Sequence, residues 1–457
     1  MMKKFSKLFA GLIASSMFLT ACSGAGNNAN NNEDAPADTG TAETAQTDTT
    51  ANPDNSATIS VIANSEWVDF YERAVERVNE KYPNATVNIL EMDPLDHLDL
   101  VTQTDATNPD VADLIIMPAD GVEDYVKSDI IMPFDALSLA EEMGGWDDFE
   151  NGLAKSFYID GEYYGFPRNI ETIMVYANRS NALQKGINLD QPLEISELTD
   201  ESTALLPFFD GWYGVAATNS AGITLLGKND DGSLYSDVTK DWNELTDEQK
   251  AAFEGLYSYW KLHNDAGTPL FDADAGWGYI DDTFTTGNGG VFRLGGPWNV
   301  NACLDQAGDD LEIYPLNKIT LNGNDLVHWK SGWGFALNSR LEGQEDEIEL
   351  CRAMIKEVMN PEFADEFFNE TGLILENVSS DVYENSDKLG ESDKAIIKVV
   401  AETYKDNLEL QTFREWNQLW DTWKNSILSW NSVQPQNAEE AYKQIKASFD
   451  SFLANMQ

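Results

Sequence analysis

The chain has 457 residues, in which 29 lysines and arginines face 79 aspartates and glutamates, so its formal net charge is −50. A charge of this sign repels phosphodiester backbones and anionic lipid headgroups, which argues against a nucleic-acid partner and against direct binding to a membrane surface. The simplest role for so acidic a surface is to keep the chain soluble. The three cysteines are too few for a disulfide scaffold.

The first 21 residues have the pattern of an export signal. Three lysines precede an apolar run over 8–19 that is too short to make a comfortable membrane span. Leu-Thr-Ala then precedes Cys22, and this combination resembles the lipobox of bacterial lipoproteins. The resemblance implies cleavage before Cys22 and a lipid on its thiol, whereas ordinary signal cleavage would leave Cys22 a bystander. Loss of the signal removes three lysines and no acid, which leaves 26 basic against 79 acidic residues, or −53.

Residues 22–56 are predicted to be a disordered tether. From Ser23 to Ser56 the chain has no lysine, arginine or aromatic residue, and alanine is its only apolar component. Such a composition cannot bury enough surface to fold. A flexible chain of this length has a root-mean-square reach of roughly 30 Å, which would hold a folded body off the outer face of the cytoplasmic membrane.

Residues 57–457 are too many for one compact core and predict two lobes. The first part gives a β-α-β unit and then a strand buried on both faces. The alternation of strands and helices predicts an α/β fold with mostly parallel sheets. The predicted strands are 58–63, 86–90, 114–117, 214–218, 290–294 and 332–339, and the predicted helices are 69–82, 122–127, 247–263 and 349–359.

The remaining cysteines and the histidines indicate neither a metal site nor a cofactor. Cys303 and Cys351 lie in apolar, helix-like segments, so two buried free thiols fit better than one disulfide bond. The histidines at 97, 263 and 328 have no metal-ligand spacing.

Polar and aromatic side chains follow the predicted strands at their carboxyl ends, where ligands bind in parallel sheets. Amides and carboxylates can bond vicinal hydroxyls, and an indole packs on the apolar face of a pyranose. These positions therefore predict a site for a neutral polyol. They are Asn64, Glu66, Trp67, Asp120, Asn219 and Trp298.

Trp298 has a particular sequence context. The strand GVFRL leaves through Gly295, Gly296 and Pro297, which suits a tight exit into the first turn of a helix. We expect this turn to direct the Trp298 side chain into the cleft rather than into the core.

Four stretches carry a family resemblance by their order and spacing. They are ADLIIMPADGVEDYVKSDIIMPF, GEYYGFPRNIETIMVYANRS, FTTGNGGVFRLGGPWNV and NQLWDTWKNSILSW. They resemble the extracellular solute-binding proteins of bacterial carbohydrate importers, a family that includes maltose-binding protein. The resemblance runs from about Thr58 to the end. It implies a monomeric, non-enzymatic binder of the type II periplasmic-binding-protein fold, which captures a saccharide between two lobes and delivers it to the permease of an ABC importer.

The resemblance also implies where the lobes divide. The first lobe would comprise 57–169 and 332–380, and the second lobe 170–331 and 381–457. The chain would cross between them near 169–172, near 330–332 and around Ser380.

By the same resemblance, Asp120, Glu171, Trp298 and Trp420 fall on sugar-contacting positions. Arg168 is expected to face the ligand beside Glu171, and Trp416 to lie near Trp420. Met117 and Gly121 stand where the maltose binder has tryptophan and arginine, and its stacking tyrosine has no counterpart near Gly222. The sugar is therefore not expected to be a maltodextrin.

Each of these assignments has a structural alternative. Trp416, Trp420 and Trp423 are spaced i, i+4 and i+7, which is also the pattern of a core stripe. Asp120 could instead cap the helix that follows it. Glu171, if it were only structural, would need a buried partner such as Arg168.

Parts of the sequence resemble the patterns of three other function classes. Residues 222–230 nearly match a phosphate-binding loop, but Asn229 replaces the hydroxyl that would hold magnesium. A cell-surface glycoside hydrolase would share the anchor, the acidity and the aromatic residues, and it would need two carboxylates set across one glycosidic bond. A receptor for a polyamine would use carboxylates between aromatic walls.

Overall fold

A computed structural model describes residues 52–229, 231–413 and 415–456 of the chain. The predicted signal, Cys22 and nearly all of the predicted tether lie outside these residues. In the part that is described, no helix combines the length and the apolar character needed to span a membrane.

The strands of the described residues include four of six or more residues and a set of shorter ones. In chain order they are β1 (Thr58–Ala63), β2 (Thr86–Glu91), β3 (Leu114–Pro118), β4 (Ile131–Met132), β5 (Tyr158–Ile159), β6 (Glu162–Tyr163), β7 (Phe166–Glu171), β8 (Met174–Asn178), β9 (Leu193–Glu194), β10 (Ala204–Leu205), β11 (Gly227–Lys228), β12 (Leu234–Tyr235), β13 (Phe292–Gly295), β14 (Leu311–Tyr314), β15 (Ile319–Leu321), β16 (Asn324–Asp325), β17 (Trp329–Asn338), β18 (Ile374–Leu375) and β19 (Leu408–Glu409).

The helices pack on both faces of the sheets that these strands form. They are α1 (Val68–Lys81), α2 (Pro94–Gln103), α3 (Val122–Lys127), α4 (Ala136–Met143), α5 (Arg179–Lys185), α6 (Gly211–Asn219), α7 (Asp247–Ala266), α8 (Gly276–Phe284), α9 (Val300–Ala307), α10 (Glu345–Val358), α11 (Ala364–Thr371), α12 (Ser380–Glu384), α13 (Glu391–Asp406), α14 (Trp416–Leu428), α15 (Trp430–Val433) and α16 (Ala438–Met456).

Two sheets organise the fold. The larger has the strand order β18-β7-β17-β3-β1-β2, and β4 and β19 also pair with β17. The second has the order β10-β13-β8-β14. The chain leaves the first sheet along β7, enters the second at β8 and returns along β17, so β7 and β17 connect the two sheets.

The prediction of mostly parallel sheets needs correction. β1 runs parallel to β2 and β3, and β10 runs parallel to β13. β17, however, is antiparallel to β3 and β7, and β8 is antiparallel to both of its neighbours. The reversal follows from the connectivity, because a strand that returns from the second sheet enters the first one from the opposite end.

The first lobe is built as its periodicity predicts. β1, α1, β2, β3 and α3 lie within two residues of their predicted bounds. α1 buries Phe70, Ala74 and Val78, which share one face of the helix. Burial of each large apolar side chain contributes about 1.5 to 3 kcal/mol.

One predicted strand is a helix. Residues 214–218 lie within α6, which Asp210 caps by accepting a hydrogen bond from the Trp212 N–H. Seven of the nine residues of α6 are buried, so its apolar residues surround the helix and leave no periodicity that could identify it. By contrast, α7 begins with the predicted capping box of Thr246 and Gln249.

Cys303 and Cys351 are both buried and free, as predicted. Cys303 lies on α9, which packs beside β14 of the second sheet, and Cys351 lies on α10, which packs on α1 and β1 of the first. Burial raises the pKa of both thiols above the ordinary value.

Candidate ligand-binding site

Two half-buried carboxylates lie near the ends of two strands of the larger sheet. Asp120 follows β3 and accepts a hydrogen bond from the Trp420 side chain. Glu171 ends β7 and accepts one from the Trp333 side chain. Asp120 follows a strand of the larger sheet, whereas Trp420 lies on α14, which packs on α6 and α16.

Burial governs the electrostatics of both carboxyl groups. It raises the pKa of Glu171 to about 7, against the opposing effects of the Trp333 hydrogen bond and of the Arg168 charge. The negative charge of Asp120 raises it further. Burial also raises the pKa of Asp120 above its usual range. The site therefore holds two carboxyl groups that are costly to ionise unless hydrogen-bond donors surround them.

Trp298 lies on a 3₁₀ turn, Pro297–Asn299, directly after β13 and Gly296. Its side chain is 37 % exposed, and its indole is hydrogen-bonded to the Tyr213 side chain at the start of α6. A Cβ atom at Gly296 would lie 2.1 Å from the Trp298 ring, so the ring occupies space that only glycine leaves free. The turn thus holds an exposed indole against the backbone, as the Gly-Gly-Pro sequence predicts.

Trp420 lies on α14 and is half-buried. The helix packs against α6 through glycines, because a Cβ atom at Gly211 would lie 2.7 Å from the Trp420 ring and one at Gly214 would lie 2.3 Å from Trp423 Nε1. The Trp212 ring lies 6.2 Å from the Trp420 ring and nearly perpendicular to it. Aromatic packing and close backbone contact therefore fix the position of Trp420.

Trp416, on the same helix, is more buried than Trp420. It is 2 % exposed, and its ring packs 4.8 Å from Trp329 and 5.5 Å from Trp420. Trp423, one turn beyond Trp420, is fully buried. The stripe thus buries its first and last tryptophans, which is the structural alternative of a core stripe, and the contact of Trp416 with a ligand stays a prediction.

Arg168 is also interior, at 1 % exposure. Its Nε donates to Asn169 Oδ1 at 2.9 Å and its Nη1 to the Tyr71 hydroxyl at 3.2 Å, and its guanidinium lies 5.1 Å from the Trp67 ring. These partners are the structural alternative for Arg168, and its contact with a ligand stays a prediction. A buried cation beside Glu171 favours the ionised form of that carboxyl group.

The side chains after β1 are partly engaged in local structure. Asn64 accepts a hydrogen bond from the Glu66 N–H at 3.1 Å and donates one to Asp93 at 3.0 Å. Glu66 is exposed, and half-buried Trp67 packs on Arg168. Their contact with a ligand stays a prediction.

Asn219 does not follow a strand, contrary to the prediction, because it ends α6. Eight residues of helix separate it from Gly211, which corresponds to about 12 Å along the axis. The start of α6, rather than its end, therefore lies at the tryptophans.

The family model of the bacterial extracellular solute-binding proteins matches residues 73–398. The chain belongs to this family. The resemblance read from the four sequence stretches is thereby confirmed, and the family comprises solute-binding proteins rather than enzymes. No curated protein matches the chain by sequence.

Solved structures of similar fold agree with this membership. MalX from Streptococcus pneumoniae in complex with maltopentaose is 16 % identical, with a TM-score of 0.66 over 86 % of this chain and 99 % of MalX. The GacH receptor of Streptomyces glaucescens is 16 % identical, with a TM-score of 0.66 over 88 % and 99 %. MalE from Listeria monocytogenes in complex with maltose is 15 % identical, with a TM-score of 0.61 over 87 % and 98 %. They confirm the predicted two-lobe α/β fold.

Three aromatic residues of this solute-binding protein were missed by the sequence reasoning. Tyr213 lies just before the predicted strand 214–218 and belongs instead to the first turn of α6. Trp277 begins α8, and its ring lies 5.5 Å from that of Tyr213. Trp333 lies inside β17, where a tryptophan is usually assigned to the core; the glycines on either side of it were the available signal.

Proposed function

We propose that this chain is the substrate-binding lipoprotein of an ABC importer, which captures a neutral saccharide in the cleft and delivers it to permease subunits in the membrane. The observation that carries the proposal is the approach of two desolvated carboxyl groups, Asp120 and Glu171, to the half-buried indoles of Trp420 and Trp333. The exposed indole of Trp298 adjoins Tyr213, whose pKa is raised by burial and also by the Glu171 charge. Carboxylates accept hydrogen bonds from sugar hydroxyls, and indole faces pack on pyranose rings. The saccharides bound by MalX and MalE support this ligand class.

The aromatic residues favour an oligosaccharide over a single sugar. The Trp298 indole is bonded to Tyr213, whose ring lies 5.5 Å from that of Trp277. Trp298 is 37 % exposed and Trp277 is half-buried. More than one ring of the series Trp298, Tyr213 and Trp277 is therefore accessible to a ligand. A ligand of several sugar units would contact more of it than a monosaccharide.

A thermal-shift panel of monosaccharides, oligosaccharides, polyamines and peptides tests the proposal. An oligosaccharide should raise the melting temperature, because a ligand at one hundred times its Kd stabilises the folded state by about 2.7 kcal/mol. Its affinity should change little between low and high salt, and scattering should show compaction as the lobes close. Stabilisation by a polyamine that disappears at high salt would instead favour a receptor for a cationic solute.

A cell-surface glycoside hydrolase is the second candidate, because a carboxyl group with a pKa of about 7 near another carboxylate is what a general acid requires. Analysis of each stabilising sugar after long incubation separates the two functions. We expect the sugar to remain intact. Hydrolysed product that disappears in Glu171→Gln would establish the enzyme.

The anchor gives a separate prediction. Replacement of Cys22 by serine should release the protein from the outer face of the cytoplasmic membrane into the medium and abolish labelling by a fatty-acid analogue. The reason is that the polyanionic body has no affinity of its own for anionic lipid. Cell fractionation and metabolic labelling measure both effects, and a variant that stays labelled or membrane-bound would contradict the lipobox assignment.

A further inference from the structure

Trp333 stands between two glycines that allow β17 to lie very close to β7. A Cβ atom at Gly332 would lie 2.2 Å from the Asn169 carbonyl oxygen, and one at Gly334 would lie 2.6 Å from the Phe166 carbonyl oxygen. Neither position can carry a larger residue without moving a backbone. Trp333 is therefore the single side chain that β17 presents along these three residues.

The strand register places Trp333 between the two carboxylates of the cleft. It pairs with Asn169 of β7 on one side and with Pro118 of β3 on the other. Glu171 lies two residues beyond Asn169, and Asp120 lies two residues beyond Pro118. Because alternate residues of a strand share a face, Trp333 and Glu171 lie on the same side of the sheet.

Trp333 packs against both hydrophobic core clusters of the described residues without being enclosed by them. Its side chain is half-buried rather than enclosed, and its indole acts on the Glu171 carboxyl group as a hydrogen-bond donor that opposes the rise of that group's pKa on burial. A tryptophan that served only to fill the core would not need to present its N–H to a half-buried carboxylate at the end of β7.

We propose that Trp333 is a further ligand-binding residue of this protein, whose indole forms the floor of the cleft between Asp120 and Glu171 and whose N–H holds Glu171 in the orientation that accepts hydrogen bonds from solute hydroxyls. The proposal rests on saccharide capture as the function of the cleft. It assigns to Trp333 both a surface for a sugar ring and a positioning role toward Glu171.

The positioning role has an electrostatic consequence. Arg168, Asp120, Tyr213 and Tyr404 are the other charged and titratable groups that act on Glu171 or sense its charge. Among the hydrogen bonds to Glu171, the one from Trp333 favours the ionised form most strongly. Loss of that N–H should therefore raise the pKa of Glu171 and leave less of it ionised at neutral pH.

Trp333→Phe tests the inference, because phenylalanine keeps a ring but removes the N–H. We expect the affinity for a saccharide found in the panel to fall about tenfold at pH 7, equivalent to about one pKa unit. Part of that loss should disappear at pH 9, where Glu171 is ionised in both proteins. Carboxyl ¹³C NMR should show Glu171 titrating at a higher pH than in the wild type.

Trp260→Phe is the matched control. Trp260 is 1 % exposed, and its indole N–H donates to Asn431 at 3.0 Å within the second lobe. The control loses the same group from a core site, so its melting temperature should fall while its pH profile of binding stays that of the wild type.

The two proposals fail in different ways. If the wild type binds no saccharide, the proposed function is wrong, and the NMR titration still tests the positioning role. If Trp333→Phe binds as the wild type does at every pH, or loses the same affinity at every pH while Glu171 titrates unchanged, the positioning role is overturned.

Discussion

Trp298→Ala is expected to weaken saccharide binding by about 2 kcal/mol or more, roughly thirtyfold, because an exposed aromatic ring at a binding site behaves as a hot spot. The melting temperature of the ligand-free protein should remain nearly unchanged. The side chain is 37 % exposed and lies on a turn, so its removal opens no large cavity in the core. Calorimetric titration with the panel saccharide and thermal melts of the free protein measure the two effects.

Trp423→Ala is the matched control for this prediction. Trp423 is fully buried, and its Nε1 donates to the Phe208 carbonyl oxygen at 2.9 Å. Its truncation should cost about 3 to 5 kcal/mol of unfolding free energy. If Trp298→Ala instead melted as early as this control and, where folded, still bound the saccharide normally, Trp298 would be a structural residue and not a ligand contact.

Glu171→Gln is expected to stabilise the ligand-free protein at alkaline pH while it weakens saccharide binding. Burial raises the pKa of Glu171 from 4.5 to about 7 in the folded state. The protonated Glu171 carboxyl therefore contributes stability to the folded state that is fully present below pH 4.5 and is lost as the pH rises through 7. Glutamine stays neutral throughout, so the variant should retain up to roughly 2 to 3 kcal/mol at pH 8.

Chemical denaturation of both proteins at pH 4.5 and at pH 8 measures this difference. The two should be nearly equally stable at the lower pH and diverge at the higher one. Many other carboxyl groups titrate over the same pH range, but their contributions to stability are the same in the wild type and in Glu171→Gln. They therefore cancel when the two proteins are compared. An equal difference at both values would show that Glu171 ionises in the folded protein as it does in the unfolded chain.

Local sequence rules predicted the first lobe well and failed at α6. β1, α1 and β2 alternate cleanly between a period of two and a period of 3.6, and their ends carry turn or capping residues. The run GWYGVAATN shows neither period, although Asp210 caps it, because a helix buried on nearly all sides is apolar on nearly all sides. The mixed direction of the strands also escaped the sequence, since it depends on a long-range return along β17.

The site was predictable where a backbone constraint was visible in the sequence. Gly-Gly-Pro before Trp298 identified an exposed tryptophan, because those residues are needed only where the chain turns closely. The burial of Arg168 and Trp416 was not visible in the sequence, because burial of a charge or an indole depends on partners distant in sequence, here Tyr71 and Trp329. Trp333 was missed because only the register of β17 shows that it lies between Asp120 and Glu171.

The two buried cysteines supply a built-in probe of how each lobe opens. Cys351 reports on the α10 layer of the first sheet and Cys303 on the α9 layer of the second, and neither thiol is exposed in the folded protein. A thiol reagent can therefore modify each one only when its own layer opens. Mass spectrometry of partly labelled protein would resolve the opening rates of the two lobes without any substitution, and would show whether a bound solute slows one of them or both.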